Sequence, residues 1–222
     1  MGFDPKNDWL DPDVGAYVAA HTTQPDDVQR RLIAETAERT GRAAGMQIAA
    51  DQGVVLSLFV GVTAARNVVE VGTFTGYSSL TMARALPAGG RLLCCDVSEE
   101  WTSIARRYWA EAGVDDRITL RVAPAIETLR ALPVDDPIDL AFIDADKGGY
   151  AAYYDELLPR LRPNGVLLVD NTLWGARVLE PAAVGDSDTA ALRAFNDMVV
   201  ADDRVESYIL PIADGLTVIR KR

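Results

Sequence analysis

The sequence predicts an α/β fold, a Rossmann-like doubly wound sheet of seven strands that is mostly parallel and carries helices on both faces. Short β-branched runs alternate with helical patterns along the chain, and this alternation requires crossover helices and therefore parallel strands. The last two strand runs are separated only by Pro211 to Gly215, which is too short for a crossover, so we expect a C-terminal antiparallel hairpin at one edge. The 222 residues, 49% of them hydrophobic, suit a single domain over residues 1–222.

Each element is predicted from its local pattern. Residues 1–22 are polar and contain prolines, which indicates an N-terminal arm with at most a short helix around Val14 to Ala20. Helix-start residues, glycine stops and apolar spacing predict the other helices, from Pro25 to Gly41, Asp51 to Val62, Tyr77 to Ala85, Ser98 onward, Pro124 to Leu132, Tyr150 to Leu161 and Thr189 to Ala201. The strands are predicted at Val68 to Val71, Arg91 to Asp96, Arg117 to Val122, Ile138 to Ile143, Val166 to Val169, Val205 to Leu210 and Leu216 to Arg220.

The first strand leads into a glycine turn that predicts a cofactor site. Gly72 and Gly76 have the spacing Gly-x-x-x-Gly, which differs from the glycine pattern of dinucleotide binders. Glu70, expected to emerge at the rim of the sheet, would repel a pyrophosphate and favours a cationic ligand such as S-adenosylmethionine. Asp96 ends the second strand, where it can bind both hydroxyls of a ribose. A generic βαβ unit in which the acid only caps a helix is the alternative.

Acidic residues also follow the fourth and fifth strands. Ligands bind beyond the carboxyl ends of parallel strands, so Asp144, Asp170 and Asn171 can converge there on one ion. Two carboxylates and an amide suit Mg²⁺, and also Mn²⁺ or Ca²⁺. A neighbouring dication disfavours the charged form of Lys147, which could then act as a base. Each of these residues, taken alone, could be an ordinary turn or cap residue.

Composition excludes several classes of function. A net charge of -11 argues against nucleic acid as a partner. The sequence has no long apolar run and no basic-then-apolar N-terminus, so we expect no membrane partner and a cytoplasmic protein. His21 is the only histidine, which excludes a multi-histidine metal site. Cys94 and Cys95 are adjacent in a strand and are expected to be core residues on opposite faces.

Four segments carry a resemblance to a known family. They are Met46 to Gly53, Val69 to Leu80, Phe142 to Lys147 with Tyr150 and Tyr153, and Leu167 to Gly175. In these segments the chain resembles the cation-dependent O-methyltransferases of the caffeoyl-CoA and catechol type, a class I S-adenosylmethionine-dependent group. Departures include Ile48 in place of a small polar residue and Gln52 in place of a glutamate. The region from Glu180 to Asp188 matches the plant enzymes poorly, which leaves the acceptor open.

The resemblance implies a role for particular residues. Lys147 would be the base and Trp174 part of the substrate wall. The metal ligands would be Asp144, Asp170 and Asn171. The residues implied to contact S-adenosylmethionine are Glu70, Gly72, Thr73, Ser78, Asp96, Ala125 and Asp146, with Ile48 and Tyr153 closing over it. The resemblance also implies a homodimer.

We therefore expect an enzyme that moves the methyl group of S-adenosylmethionine to one hydroxyl of a small aromatic vicinal diol, with help from a divalent cation. An NAD-dependent oxidoreductase of similar fold is one alternative, disfavoured by the missing third glycine and by Glu70. A binding protein without turnover is another, disfavoured because the ligand set and Lys147 occur together. A nucleic-acid methyltransferase is the least favoured.

Overall fold

The computed structural model describes residues 10–222 and shows a single seven-stranded sheet in the order β3-β2-β1-β4-β5-β7-β6. The first five strands are parallel, whereas β7 pairs antiparallel with both β5 and β6. This confirms the predicted fold class and the C-terminal hairpin. The strands are β1 Asn67–Val71, β2 Arg91–Asp96, β3 Ile118–Val122, β4 Ile138–Ile143, β5 Leu161–Val169, β6 Val205–Leu210 and β7 Leu216–Lys221.

Eight α-helices lie in the described part of the chain. Asp26 caps α2 in a reciprocal pair with Gln29, and Ser98 caps α5, so the local start signals hold. The helices are α1 Pro12–Ala20, α2 Asp27–Thr40, α3 Ala50–Val62, α4 Tyr77–Ala85, α5 Glu99–Glu111, α6 Ala125–Arg130, α7 Tyr150–Arg160 and α8 Ser187–Ala201. A 3-10 helix, Gly41–Met46, joins α2 to α3. The first nine residues of the predicted arm lie outside the described range.

The fifth strand is longer than predicted. It starts at Leu161 and continues through Arg162-Pro163-Asn164-Gly165, a run of turn-type residues. A register shift against β4 accommodates this run, because Ile138 pairs with Leu161 and Leu140 pairs with Val166. The irregularity lets the strand keep its pairing where turn chemistry predicts a break.

Two apolar cores cover the two faces of the sheet. One packs α2, α3, α4 and α5 against strand residues that include Val68, Leu92 and Cys94. The other packs α6, α7 and α8 against the alternate strand residues, among them Val69 and Cys95. The two cysteines are buried and reduced, one in each core, as the strand alternation predicts. The helices therefore hold the sheet from both sides, and its carboxyl edge stays open for loops.

Among residues 10–222 no single helix is long and apolar enough to cross a membrane. The segments Asp27–Met46 and Ala50–Val62 reach the required length and composition only together, and they are bent by 75°.

Candidate active site

A cavity of about 1270 Å³ opens at the carboxyl edge of β1, β2, β4 and β5. Because these strands are parallel, the loops that follow them meet at one edge. Every site residue predicted from the sequence lines this cavity except Glu70. The lining residues among those predicted are Ile48, Gly72, Thr73, Ser78, Asp96, Ala125, Asp144, Asp146, Lys147, Tyr153, Asp170, Asn171 and Trp174.

The turn after β1 requires both of its glycines. Gly72 has φ +91°, and a Cβ there would lie 1.9 Å from the backbone oxygen of Asp144. Gly76 has φ +89°, and a Cβ there would lie 2.5 Å from the Ala105 Cβ. The first close approach packs the turn against the loop after β4, and the second packs the start of α4 against α5. The end of β1 is thereby held against the end of β4, and α4 against α5, beside the cavity.

Asp96 organises the same turn. Its Oδ2 accepts hydrogen bonds from the backbone N–H groups of Thr73 (2.9 Å) and Phe74 (2.8 Å), and its Oδ1 accepts one from the N–H of Ser98 (2.8 Å). A carboxylate oxygen can accept more than one hydrogen bond, so these contacts leave capacity for a ligand hydroxyl. Asp96 therefore holds the glycine turn against the end of β2 and also faces the cavity, whereas Ser98 caps α5. Binding of a ribose by Asp96 stays a prediction.

The structure corrects the placement of Glu70. The side chain does not emerge at the rim: it is fully buried, and its Oε1 accepts a 2.6 Å hydrogen bond from the Ser78 hydroxyl on α4. Its Oε2 makes no hydrogen bond within residues 10–222. Burial raises the pKa of Glu70 to about 7, and nearby hydroxyl and thiol groups offset only part of that rise. Glu70 is the second-last residue of β1, so it lies inside the strand and not in the loop that follows it. The pleat of the strand directs its side chain toward α4.

The residues predicted to bind a metal surround the Lys147 ammonium. Lys147 Nζ donates to Asn171 Oδ1 (2.6 Å) and to the Tyr150 hydroxyl oxygen (2.6 Å), and lies 3.3 Å from Asp144 Oδ1. The Tyr150 hydroxyl in turn donates to the Asp170 carbonyl at 3.2 Å. A single cluster therefore joins the ends of β4 and β5.

The same cluster has the electrostatics of a cation site. Asp170 is buried, and burial together with the charge of Asp144 raises its pKa to about 7. Its Oδ1 accepts the N–H of Asn171 at 2.7 Å. No group of three or more His, Cys, Asp and Glu side chains placed for a metal occurs in residues 10–222, and the set predicted from the sequence differs from such a group because its third member is the amide of Asn171. Two carboxylates and an amide oxygen, with the buried acid disfavoured in its charged form, fit a hard divalent cation.

Trp174 stands beside this cluster, and two cationic side chains lie near its ring. Its ring centroid is 5.6 Å from Lys147 Nζ and 4.4 Å from Arg177 Cζ. The residue has φ +51°, and Gly175 and Ala176 continue the left-handed conformation at +56° and +64°. A sequence pattern does not predict three consecutive residues of this kind.

Other lining residues were not singled out from the sequence. Phe74 in the glycine turn packs edge-on against Trp101 of α5 with ring centroids 4.8 Å apart, which forms an apolar wall beside Asp96. The sequence signal that could have identified Phe74 was its position between the two glycines of the predicted ligand-binding turn. Gln52 of α3, noted from the sequence only as a departure from the family pattern, lies next to Asp170, and its side-chain amide lowers the pKa of that carboxyl. Asp214, from the hairpin tip, also lines the cavity.

Tyr153 and Asp146 form a hydrogen-bonded pair in the lining of the cavity. The Tyr153 hydroxyl donates to Asp146 Oδ1 at 2.6 Å. Burial and the Asp146 carboxylate raise the pKa of Tyr153, so the phenol keeps its proton and its donor role. A Cβ at Gly149 would lie 2.5 Å from the Tyr153 ring, so this position needs a glycine for the ring to pack there.

Comparison with known proteins gives one consistent result. A family model described as O-methyltransferase matches residues 20–222. A curated relative from Dictyostelium discoideum, "Probable caffeoyl-CoA O-methyltransferase 2", is 42% identical over 208 residues, which covers 92% of this chain and 90% of the relative. The O-methyltransferase from Bacillus cereus, solved with SAH, has a TM-score of 0.85 and 28% identity, covering 95% of this chain and 97% of the other. TomG from Streptomyces achromogenes, solved with SAM, has a TM-score of 0.85 and 29% identity, covering 94% and 96%.

Proposed function

The chain belongs to the O-methyltransferase family, and on that premise we propose that it transfers a methyl group from S-adenosylmethionine to one hydroxyl of a vicinal aromatic diol with a divalent cation, Mg²⁺ first. One observation carries the proposal. A glycine turn with its acid, and a cluster of two carboxylates, an amide and a lysine, lie in the same cavity. Family membership removes the nicotinamide-dependent oxidoreductase from consideration.

The glycine turn is the proposed cofactor end of the cavity. Gly72 lets the turn pack against the loop after β4, and Asp96 faces the cavity from the end of β2. Phe74 and Trp101 offer apolar surface for an adenine, and the hydrogen-bonded pair of Tyr153 and Asp146 also lines the cavity. The related enzymes solved with SAH and with SAM support S-adenosylmethionine as the cofactor. Ile48, Thr73, Ser78 and Ala125 complete the proposed contacts, whereas Glu70 would act from behind the turn.

Asp144, Asp170 and Asn171 would hold the divalent cation, and Mn²⁺ or Ca²⁺ would fit the same oxygen set. When bound, the cation would polarise the two diol oxygens and lower the pKa of the hydroxyl that attacks.

The chain's own residues would handle the proton and the orientation. Lys147 Nζ, held by Asn171 and Tyr150, would take the proton of the attacking hydroxyl when the amine is neutral. The oxygen–methyl bond forms as the sulfur–methyl bond breaks, and the sulfonium takes that electron pair. Trp174 would pack against the ring and keep the oxygen in line with the methyl group. The name of the Dictyostelium relative supports the diol, since a caffeoyl ring carries adjacent hydroxyls.

The test is methyl transfer from labelled S-adenosylmethionine to a panel of catechols and caffeoyl esters. We expect activity with Mg²⁺, loss in chelator and return on adding Mg²⁺. Asp170→Asn should lower activity by more than about a hundredfold and abolish Mg²⁺ binding by calorimetry. Asp203→Asn, an exposed acid just before β6, is the control. Full activity in chelator would refute the metal, and no transfer to any diol in the panel would refute the vicinal diol as the acceptor.

We also propose a homodimer and a cytoplasmic location. Leu58 and Val62 on α3 and Tyr208 on β6 are exposed and apolar, which supports a covered surface. Sedimentation of the purified protein tests the dimer, and cell fractionation tests the location. No nucleic acid and no membrane is proposed as a partner.

A further inference from the structure

We infer that Asp214, at the tip of the β6–β7 hairpin, is a positioning residue that holds Trp174 in place as the wall for the methyl acceptor. The inference rests on the proposed function, because it concerns how the acceptor ring is held. It assigns a task to the antiparallel edge of the sheet.

The segment that carries Trp174 needs outside support. Trp174, Gly175 and Ala176 have φ values of +51°, +56° and +64°, and Asn171 has +58°. Left-handed backbone is unfavourable for residues with a side chain, and such conformations persist only where the surrounding structure holds them. A wall built on this segment is therefore only as rigid as its attachments.

The hairpin tip supplies those attachments. Asp214 Oδ1 accepts a hydrogen bond from the N–H of Gly175 at 2.5 Å, and the Asp214 carbonyl accepts one from the N–H of Leu173 at 3.0 Å. The Gly215 carbonyl accepts from both the N–H (3.0 Å) and the hydroxyl (3.1 Å) of Thr172. The bond between Gly175 and Asp214 is the one attachment among these that uses a carboxylate, and bonds of that kind are the stronger ones.

The contact between the two segments is also close. Gly215 has φ +87°, and a Cβ there would lie 2.5 Å from Leu173 Cγ and 2.8 Å from the Leu173 nitrogen. The tip therefore lies directly against the segment, with the backbones touching. Removing the Asp214 carboxylate would remove the attachment at Gly175 and leave those of Leu173 and Thr172, whose bonds are to backbone carbonyls.

This division predicts a selective defect. Asn171 and the rest of the proposed metal set lie before Thr172, on the side that stays attached. The glycine turn and Asp96 lie on other strands, away from the hairpin. Trp174 follows the anchored part and adjoins the freed bond, so loosening Gly175 lets its ring move. Acceptor binding should weaken while cofactor and metal binding stay intact.

The experiment compares Asp214→Ala with Asp214→Asn and with Glu206→Ala. The asparagine variant keeps an acceptor oxygen, and Glu206 is a carboxylate on the same hairpin that pairs with Arg220 instead. We expect Asp214→Ala to raise the acceptor KM about tenfold, as for the loss of one charge-assisted hydrogen bond, with the Kd for S-adenosylmethionine changed by less than about twofold. The acceptor KM of Asp214→Asn should lie much closer to that of wild type than to that of Asp214→Ala, and the KM of Glu206→Ala should equal that of wild type.

A second readout does not depend on activity. The indole N–H resonance of Trp174, assigned by its disappearance in Trp174→Phe, should shift or broaden in Asp214→Ala and stay in place in Glu206→Ala. An unmoved resonance, or an equal loss of cofactor and acceptor affinity, would overturn the inference. If wild type methylates no diol, the proposed function fails, and the Trp174 resonance alone tests whether Asp214 holds Trp174 in place. If Asp214→Ala does not fold, the KM and resonance of Asp214→Asn decide it, since its neutral acceptor should produce a smaller change of the same kind.

Discussion

Replacing Glu70 with glutamine tests the electrostatics behind the glycine turn. Burial raises the pKa of this carboxyl from its ordinary 4.5 to about 7. A raised acid pKa means that folding favours the protonated form, so its contribution to stability is complete below about pH 4.5 and is lost as the pH rises through 7. The difference of about 2.5 units (7 minus 4.5) corresponds to about 3 kcal/mol at 1.36 kcal/mol per unit. The group is fully buried, so solvent does not screen this cost.

The assay is urea unfolding of cofactor-free protein at several pH values. Between about pH 5 and pH 8 wild type should lose about 2.5 kcal/mol more unfolding free energy than Glu70→Gln. The variant keeps an oxygen for the Ser78 hydroxyl, and any cost of its buried amide is the same at both pH values. Asp170 also has a raised pKa, but it is present in both proteins and cancels in the comparison.

A matched control is Glu206→Gln, which removes an exposed carboxylate whose pKa is lowered by Arg220. It should retain the full pH-dependent loss of wild type. Parallel pH profiles for wild type and Glu70→Gln would refute the reasoning and would mean that the Glu70 carboxylate reaches water or a cation.

Three further predictions concern the cavity. Gly72→Ala should lower the free energy of unfolding by about 3 kcal/mol or more, because the new Cβ would meet the backbone oxygen of Asp144, the residue after β4. The control, Gly61→Ala, places its Cβ in open space on α3 and should raise the free energy of unfolding by about 0.5–1 kcal/mol. Urea titration measures both. Trp101→Ala should weaken S-adenosylmethionine binding about tenfold by calorimetry, because it removes an aromatic wall, and an unchanged Kd would place the adenine elsewhere. Tyr150→Phe should lower kcat about tenfold or more with little change in cofactor Kd, because Lys147 loses a 2.6 Å partner; an unchanged kcat in single-turnover assays would contradict this role.

The sequence was informative wherever local chemistry decides structure. Apolar periodicity, capping residues and glycines predicted the strands and most helix bounds, because these signals act over a few residues. The same logic placed Asp144, Asp170 and Asn171 at one edge, since the carboxyl ends of parallel strands meet there. The first half of β5 was not predicted, because pairing with β4 keeps residues 161–165 in the strand although several of them are turn-type residues.

The sequence by itself determined the order of the elements, the acidic strand ends and the glycine turn, and those features follow from contacts between near neighbours in the chain. Only the tertiary structure decided that Glu70 lies buried under the turn against Ser78, that Lys147 bridges Asn171 and Tyr150, and that the hairpin tip holds Trp174 through Gly175. The physical reason is that the direction of a side chain at a strand end depends on the pleat of that strand. The rigidity of a loop depends on whatever packs against it from distant parts of the chain.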